Sequence, residues 1–265
     1  MTYPIKAIVF DWAGTVIDFG CMAPVIALQQ VFAAEGVDLS DDEARADMGM
    51  AKLDHLRAIL AAPAMVVRWL ALKGTPAGEA DVQRLYTALV PAMSAAAAQA
   101  SQLIPGAADV VAQLRERGIK IGSGTGYTRE MMAGILPAAA AQGYAPDVVV
   151  CAGETPSGRP SPQPAWSALI QLDAWPAVHC VKVDDAPVGI AEGKNAGCWT
   201  VGIAGSGNEV GLDHAAYHAL PPAERAERLA KAEASLRDAG ADYVIEDISQ
   251  LVPVIETIAA RIAAE

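Results

Sequence analysis

The chain is short of positive charge, of aromatic side chains and of cysteine. Its 19 Lys and Arg face 31 Asp and Glu, for a net charge of -12, and no basic cluster relieves the imbalance. Such a surface repels a nucleic-acid backbone, so no nucleic-acid partner is expected. A small anion is still admissible wherever cations and backbone N–H groups are gathered locally. Aromatics make up only 5% of the residues, so a core must be assembled from Ala, Val, Leu and Ile. Cys21, Cys151, Cys180 and Cys198 stand far apart, with no CxxC pair and no zinc-like Cys/His spacing. A reduced, cytoplasmic protein is the expectation. Residues 1–6 lack the basic start and apolar core of a signal peptide. The most apolar internal stretch, 59–72, is broken by Arg68 and is too short to span a bilayer, so no membrane partner is expected.

What is present begins with the run 5–10, apolar except for Lys6, which leads into Asp11. It predicts a buried strand with a carboxylate at its C-terminal tip. Asp11 alone is ambiguous: it can cap a following helix or do chemistry. From about 20 to 99 only helical spacing is found. Helices are predicted over 21–35, from Asp41, over 48–60 and 64–72, and over 78–100 with a break or kink near Pro91. After Leu103 strands and helices alternate, with strands near 119–123, 147–151, 180–183, 199–203 and 243–245, one helix from the 124–127 loop to about 142, and a closing helix over 248–264. Alternation of this kind predicts an α/β fold, a Rossmann-like doubly wound, mainly parallel sheet. The expected organisation is a core of residues 1–19 and 100–265 with an inserted all-helical cap of residues 20–99.

Four predicted strand ends carry polar groups: Asp11, the Ser123/Thr125 loop, Arg159, and Asp184 with Asp185. Singly each is ordinary turn or capping chemistry. Together at one edge of a sheet they are complementary. Paired carboxylates can hold Mg²⁺ beside phosphate oxygens. A Thr hydroxyl and loop N–H groups can grip a phosphoryl group. Arg offers a donor fork, and a carboxylate can act as nucleophile.

In this order the motifs resemble the haloacid dehalogenase superfamily, over essentially the whole chain and including a cap inserted after the first motif. The resemblance implies Asp11 as nucleophile and Mg²⁺ held by Asp11, the backbone carbonyl at position 13 and Asp185. It also implies Thr125, Gly126 and Arg159 around the phosphorus group. One departure is informative. Many superfamily phosphatases and phosphomutases carry a second Asp at position 13 to protonate the leaving group; here the residue is Ala13. DWAGT at 11–15, Cys21, MGxxKxDHxR at 48–57, GTGYTREMM at 124–132, GRPxP around Arg159, VDD at 183–185 and EGxNAGxWTVG at 192–202 resemble the phosphonatase branch. That branch hydrolyses phosphonoacetaldehyde through a cap lysine that forms a Schiff base, and the matching residue is Lys52.

With Met48 and His55, Lys52 is expected on one helix face, in a largely dry pocket that lowers its pKa. His55 is a candidate proton shuttle or a structural histidine. Cys21 and Tyr127 are expected in the cleft without an assigned step. Asp184 is a candidate supporting acid, because Gly189 stands where many members carry a further Asp. A homodimer is the family tendency, and Met65, Val66, Trp69 and Leu70 are candidates either for that contact or for packing within the cap. The alternatives are a phosphatase or phosphomutase acting on a small phosphate ester, or a catalytically dead binding protein.

Overall fold

The computed structural model describes residues 3–264; Met1, Thr2 and Glu265, at the ends of the expected core segments, lie outside the described residues. The apolar run before Asp11 becomes strand β1, Ala7–Phe10, with all four residues buried. Both of its faces are covered. Ile8 and Phe10 join a cluster with Val110 and Leu114 of the helix Ala107–Glu116 and with Ile255 near the C-terminus. Ala7 and Val9 meet Ala165 and Ala168 of the helix Gln163–Gln171 on the other side. A strand buried on both faces cannot alternate polar with apolar residues, which is why it reads as a continuous run.

The remaining strands are β2 Lys120–Gly124, β3 Val148–Val150, β4 Cys180–Asp184, β5 Trp199–Ile203 and β6 Tyr243–Ile245. They pair in the order β3-β2-β1-β4-β5-β6, every neighbour parallel. The order reverses between β1 and β4, and ligands of such sheets bind outside the strand C-termini at that crevice. Phe10 pairs with Val183, and the Asp11 N–H donates to the Val183 carbonyl at 2.9 Å. The Asp11 and Asp184 tips are thereby brought side by side.

Between β1 and β2 the described residues form a helical insertion: α1 Met22–Ala34, α2 Asp41–Arg45, α3 Lys52–Ala61, α4 Pro63–Lys73 and α5 Glu79–Gln99. Of the break or kink expected near Pro91, the break does not occur: helix α5 runs continuously through it. Its residues Leu85, Leu89, Met93 and Ala97 are buried four apart on one face, and α5 packs along α1. That burial outweighs the lost Pro91 hydrogen bond, a defect of about 3 kcal/mol. The segment 48–60 is also not one helix. Gly49 has a φ of 94° and α3 begins at Lys52. Met48 therefore reaches Lys52 from a turn rather than along a shared helix face. The helix expected to run to 142 is interrupted, as Arg129–Met132 and Ile135–Ala141. The short helix His214–Ala219, capped by Asp213, was not foreseen. On α4, Met65 and Trp69 are buried within the fold, while Val66 and Leu70 lie exposed beside Val67 and Leu72. Among the described residues no single helix is long and apolar enough to cross a membrane.

Candidate active site

Asp11, Thr125 and Asp185 stand at or just beyond the ends of β1, β2 and β4, and the turn preceding α3 closes over them. One small cavity is lined by Asp11, Ala13, Cys21, Met48, Lys52, Thr125, Gly126, Tyr127 and Asp185, together with Pro24, Gly49 and Ala186. Nine of the eleven candidate residues thus share one space. Arg159 reaches it through Asp11. His55 is buried but does not line it.

The close fit of insertion and core depends on glycine at two points. A Cβ on Gly126 would overlap the backbone carbonyls of Met50 and Gly49, so the turn before α3 rests directly on the Thr125 loop. Gly14, at a φ of 80°, lies against the Asp185 carboxylate and the Cys21 sulfur, where a Cβ would overlap both.

Arg159 holds Asp11 from the side. Its Nη1 donates to Asp11 Oδ1 at 2.6 Å, its Nη2 to the Gly124 carbonyl at 2.8 Å, and its Nε meets Glu192 Oε2 at 2.8 Å. Burial alone would lower the Arg159 pKa, but Glu192, Asp11 and Asp184 outweigh it and keep the guanidinium charged. Asp185 accepts from Thr15 Oγ1 at 3.0 Å, from Cys21 Sγ at 3.3 Å and from the Asn208 N–H at 2.9 Å. Asp184 pairs with Lys182 at 2.9 Å, and its other oxygen accepts the Ala186 N–H. A side chain at Gly189 would overlap the Asp184 carboxylate, which explains why no further acid stands there.

Burial, followed by the Asp184 charge, raises Asp11 to about 6. Burial, followed by the charges of Asp11 and Asp184, raises Asp185 well above the usual carboxylate range. Asp11, Asp184 and Asp185 each offer an oxygen within 4.8 Å of the others. Three buried carboxylates, Asp11, Asp184 and Glu192, pair with the two cations Arg159 and Lys182, and Asp185 adds a fourth that pairs with neither. The uncompensated negative charge and the all-oxygen donor set both fit a hard divalent cation.

Lys52, on the opposite wall, is 2% exposed. Its Nζ donates to Met48 Sδ at 3.6 Å and lies 5.5 Å from the centroid of the Tyr127 ring. No carboxylate pairs with it among the described residues. Burial lowers its pKa to about 8, and its place in the first turn of α3, at the positive end of the helix dipole, acts in the same direction. Burial also holds the Cys21 thiol protonated, so it presents no anion to the lysine. His55 is pushed down to about 3, by burial and then by Lys52. Its ring nitrogens make no hydrogen bond of good geometry, although the Ala46 backbone interacts with the ring electrostatically.

Thr15, Lys182, Glu192 and Asn208 belong to the same network and were not singled out from sequence. Lys182 left a trace, being a charge inside a strand otherwise apolar as far as Val183. Glu192 sits in a motif whose purpose sequence alone leaves open.

The model of the haloacid dehalogenase-like hydrolases matches residues 5–197, spanning the insertion and four of the six strands. This chain belongs to that family. Among similar hydrolases is the phosphonoacetaldehyde hydrolase of Paraburkholderia phytofirmans, 48% identical over 98% of this chain and 97% of that protein. The enzyme of that name from Syntrophobacter fumaroxidans is 44% identical over 97% and 93%. The crystal structure of a phosphonoacetaldehyde hydrolase like protein from Oleispira antarctica superimposes with a TM-score of 0.97 at 43% identity, covering 98% of this chain and 95% of that one.

Proposed function

We propose that this hydrolase cleaves the carbon–phosphorus bond of phosphonoacetaldehyde, yielding acetaldehyde and phosphate. One observation carries the reading: a buried lysine without a carboxylate partner among the described residues and a buried aspartate line the same cavity, and Ala13 occupies the place of a leaving-group acid. The similarity to phosphonoacetaldehyde hydrolases along nearly the whole chain supports it.

A carbanion is too basic to leave phosphorus unaided. Neutral Lys52 attacks the aldehyde carbon; the carbinolamine takes up one proton from solvent and loses water, leaving an iminium two bonds from phosphorus. An Asp11 oxygen then attacks phosphorus. The carbon–phosphorus electron pair moves into the iminium, giving an enamine on Lys52 and a phosphoryl group on Asp11. Water hydrolyses the aspartyl phosphate to phosphate. Protonation of the enamine carbon and hydrolysis of the resulting iminium release acetaldehyde and free Lys52. No proton donor is needed at position 13.

Arg159, the Thr125 hydroxyl and the Gly126 N–H receive the phosphonyl oxygens. Thr125 Oγ1 accepts the Tyr127 N–H at 3.1 Å, which leaves its own proton to donate. Asp11, the Ala13 carbonyl and Asp185 would hold Mg²⁺, which when bound neutralises the repulsion between the nucleophile and the anionic substrate. Met48, Cys21 and Tyr127 keep the lysine side dry. His55, neutral and without a place in the cavity wall, serves as proton carrier only when water reaches it. Substrate entry requires the cap, residues 20–99, to move from the core of 1–19 and 100–265. The exposed Val66, Val67, Leu70 and Leu72 on α4 are proposed as the contact of a homodimer, and the setting as the cytoplasm.

The test is borohydride reduction with phosphonoacetaldehyde present, followed by peptide mass mapping. An adduct on Lys52 with loss of turnover is expected. Intact activity without an adduct would sink the Schiff-base route, and rapid turnover of an unactivated sugar phosphate would favour a phosphatase.

A further inference from the structure

Beneath the nucleophile lies a carboxylate to which the reaction assigns no step. Glu192, on the helix Pro187–Ala196, is 1% exposed. Its Oε2 meets Arg159 Nε at 2.8 Å and Lys182 Nζ at 3.2 Å. We propose that Glu192 is a positioning residue that aims the Arg159 fork at Asp11 and at the phosphorus-bound oxygens. This rests on the reading of Asp11 and Arg159 as the groups that handle phosphorus.

Geometry supports the assignment. A guanidinium is planar, so fixing one edge fixes the directions of the others. With Nε on Glu192 and Nη2 on the Gly124 carbonyl, Nη1 is turned onto Asp11 Oδ1 at 2.6 Å, with Asp184 Oδ2 behind it at 3.6 Å. No side-chain hydrogen bond to Asp11 Oδ2 is found among the described residues, so one oxygen is anchored and the other is available to attack. Electrostatics act in the same sense. Arg159 and Lys182 are both buried and repel each other, and Glu192 lies between them. Without its charge the guanidinium loses an anchor and is pushed from the lysine. The phosphorus-binding donors would shift, and a displacement of about 1 Å costs on the order of 10²-fold in rate.

The experiment compares Glu192→Gln and Glu192→Asp with wild type in three assays: turnover, borohydride trapping of Lys52, and calorimetric titration with inorganic phosphate. For Glu192→Gln, kcat is expected to fall on the order of 10²-fold and phosphate affinity at least about tenfold, with trapping within about twofold of wild type. Glu192→Asp should recover part of both losses. Unchanged kcat and phosphate affinity would overturn the inference, as would trapping that falls in step with turnover, the mark of general structural damage. Phosphate titration needs no aldehyde, so it reports on Arg159 even if Lys52 forms no imine. Should Glu192→Gln not fold, Lys182→Met/Glu192→Gln removes the cation with the anion. Phosphate affinity below that of Lys182→Met alone is then expected, and equal affinity would overturn the proposal.

Discussion

Lys52 Nζ lies 3.6 Å from Met48 Sδ, a weak acceptor without charge, and 2% of the lysine is exposed. An ammonium stripped of water and given no carboxylate is destabilised relative to the free amine. Burial beside an uncharged acceptor thus brings the free amine within reach of neutral pH.

The first prediction concerns pH. With Lys52 near 8, about a tenth is neutral at pH 7 and about half at pH 8. The trapping rate should rise from pH 6.5 and level off above about 9; a flat profile would contradict a titrating amine. Stability follows the same group. The folded pKa lies below the unfolded value of 10.5, so between about 8 and 10.5 the unfolded chain binds more protons and stability rises with pH. Below pH 8 the burial cost is fully present. Lys52→Met should therefore unfold at higher denaturant concentration at pH 7, by up to about 3 kcal/mol, while losing turnover.

A second prediction tests how the turn before α3 seats on the core. Gly126→Ala places a methyl group on the Met50 and Gly49 carbonyls, which are backbone and cannot swing aside. Turnover and trapping should both drop on the order of 10²-fold, because the reacting groups are held apart. The unfolding midpoint should move little if the turn lifts as a unit. Wild-type rates for the variant would show that the contact is dispensable.

Removing metal should separate the two halves of the chemistry. In EDTA, turnover should vanish while trapping on Lys52 stays within about twofold, since imine formation uses no metal ligand. The metal-free protein should also lose stability as pH rises from about 4 to 6. Asp11 has a folded pKa of about 6, so across that window the folded state holds the extra proton and rising pH favours unfolding. Mg²⁺ should flatten this dependence in thermal melts; an identical profile with and without it would argue against carboxylate ligation.

The fourth prediction concerns only the fold. Pro91 is exposed within α5, so replacing it forfeits no buried surface. Pro91→Ala restores an N–H opposite the Thr87 carbonyl and should stabilise the chain by about 1–3 kcal/mol in urea titrations. Destabilisation would mean that the helix needs a bend there.

Much of this was legible in the amino-acid order alone. A buried strand declares itself by an unbroken apolar run, so β1 and the Asp11 tip were readable, as were the Thr125 loop, Arg159 and Asp185 at later strand ends. Set beside the haloacid dehalogenase pattern, the missing carboxylate at Ala13 directed attention to Lys52, and the resemblance to the phosphonatase branch implied a role for that lysine. Local order could not reveal the turn before α3, where Gly49 adopts a φ of 94°, or the continuity of α5, where side-chain burial overrides proline. Nor could it reveal the partners of Glu192, an acid whose place in the 192–202 motif does not say what it faces. Its meaning comes from Arg159, 33 positions earlier in the chain, and from Lys182 on β4, and a charge acquires a partner only when the chain folds it against one. Residue types, their order and the family resemblance were enough to nominate the groups proposed to do chemistry. Folding alone could set which of them lie close, which are dry, and therefore which protonation state each one holds.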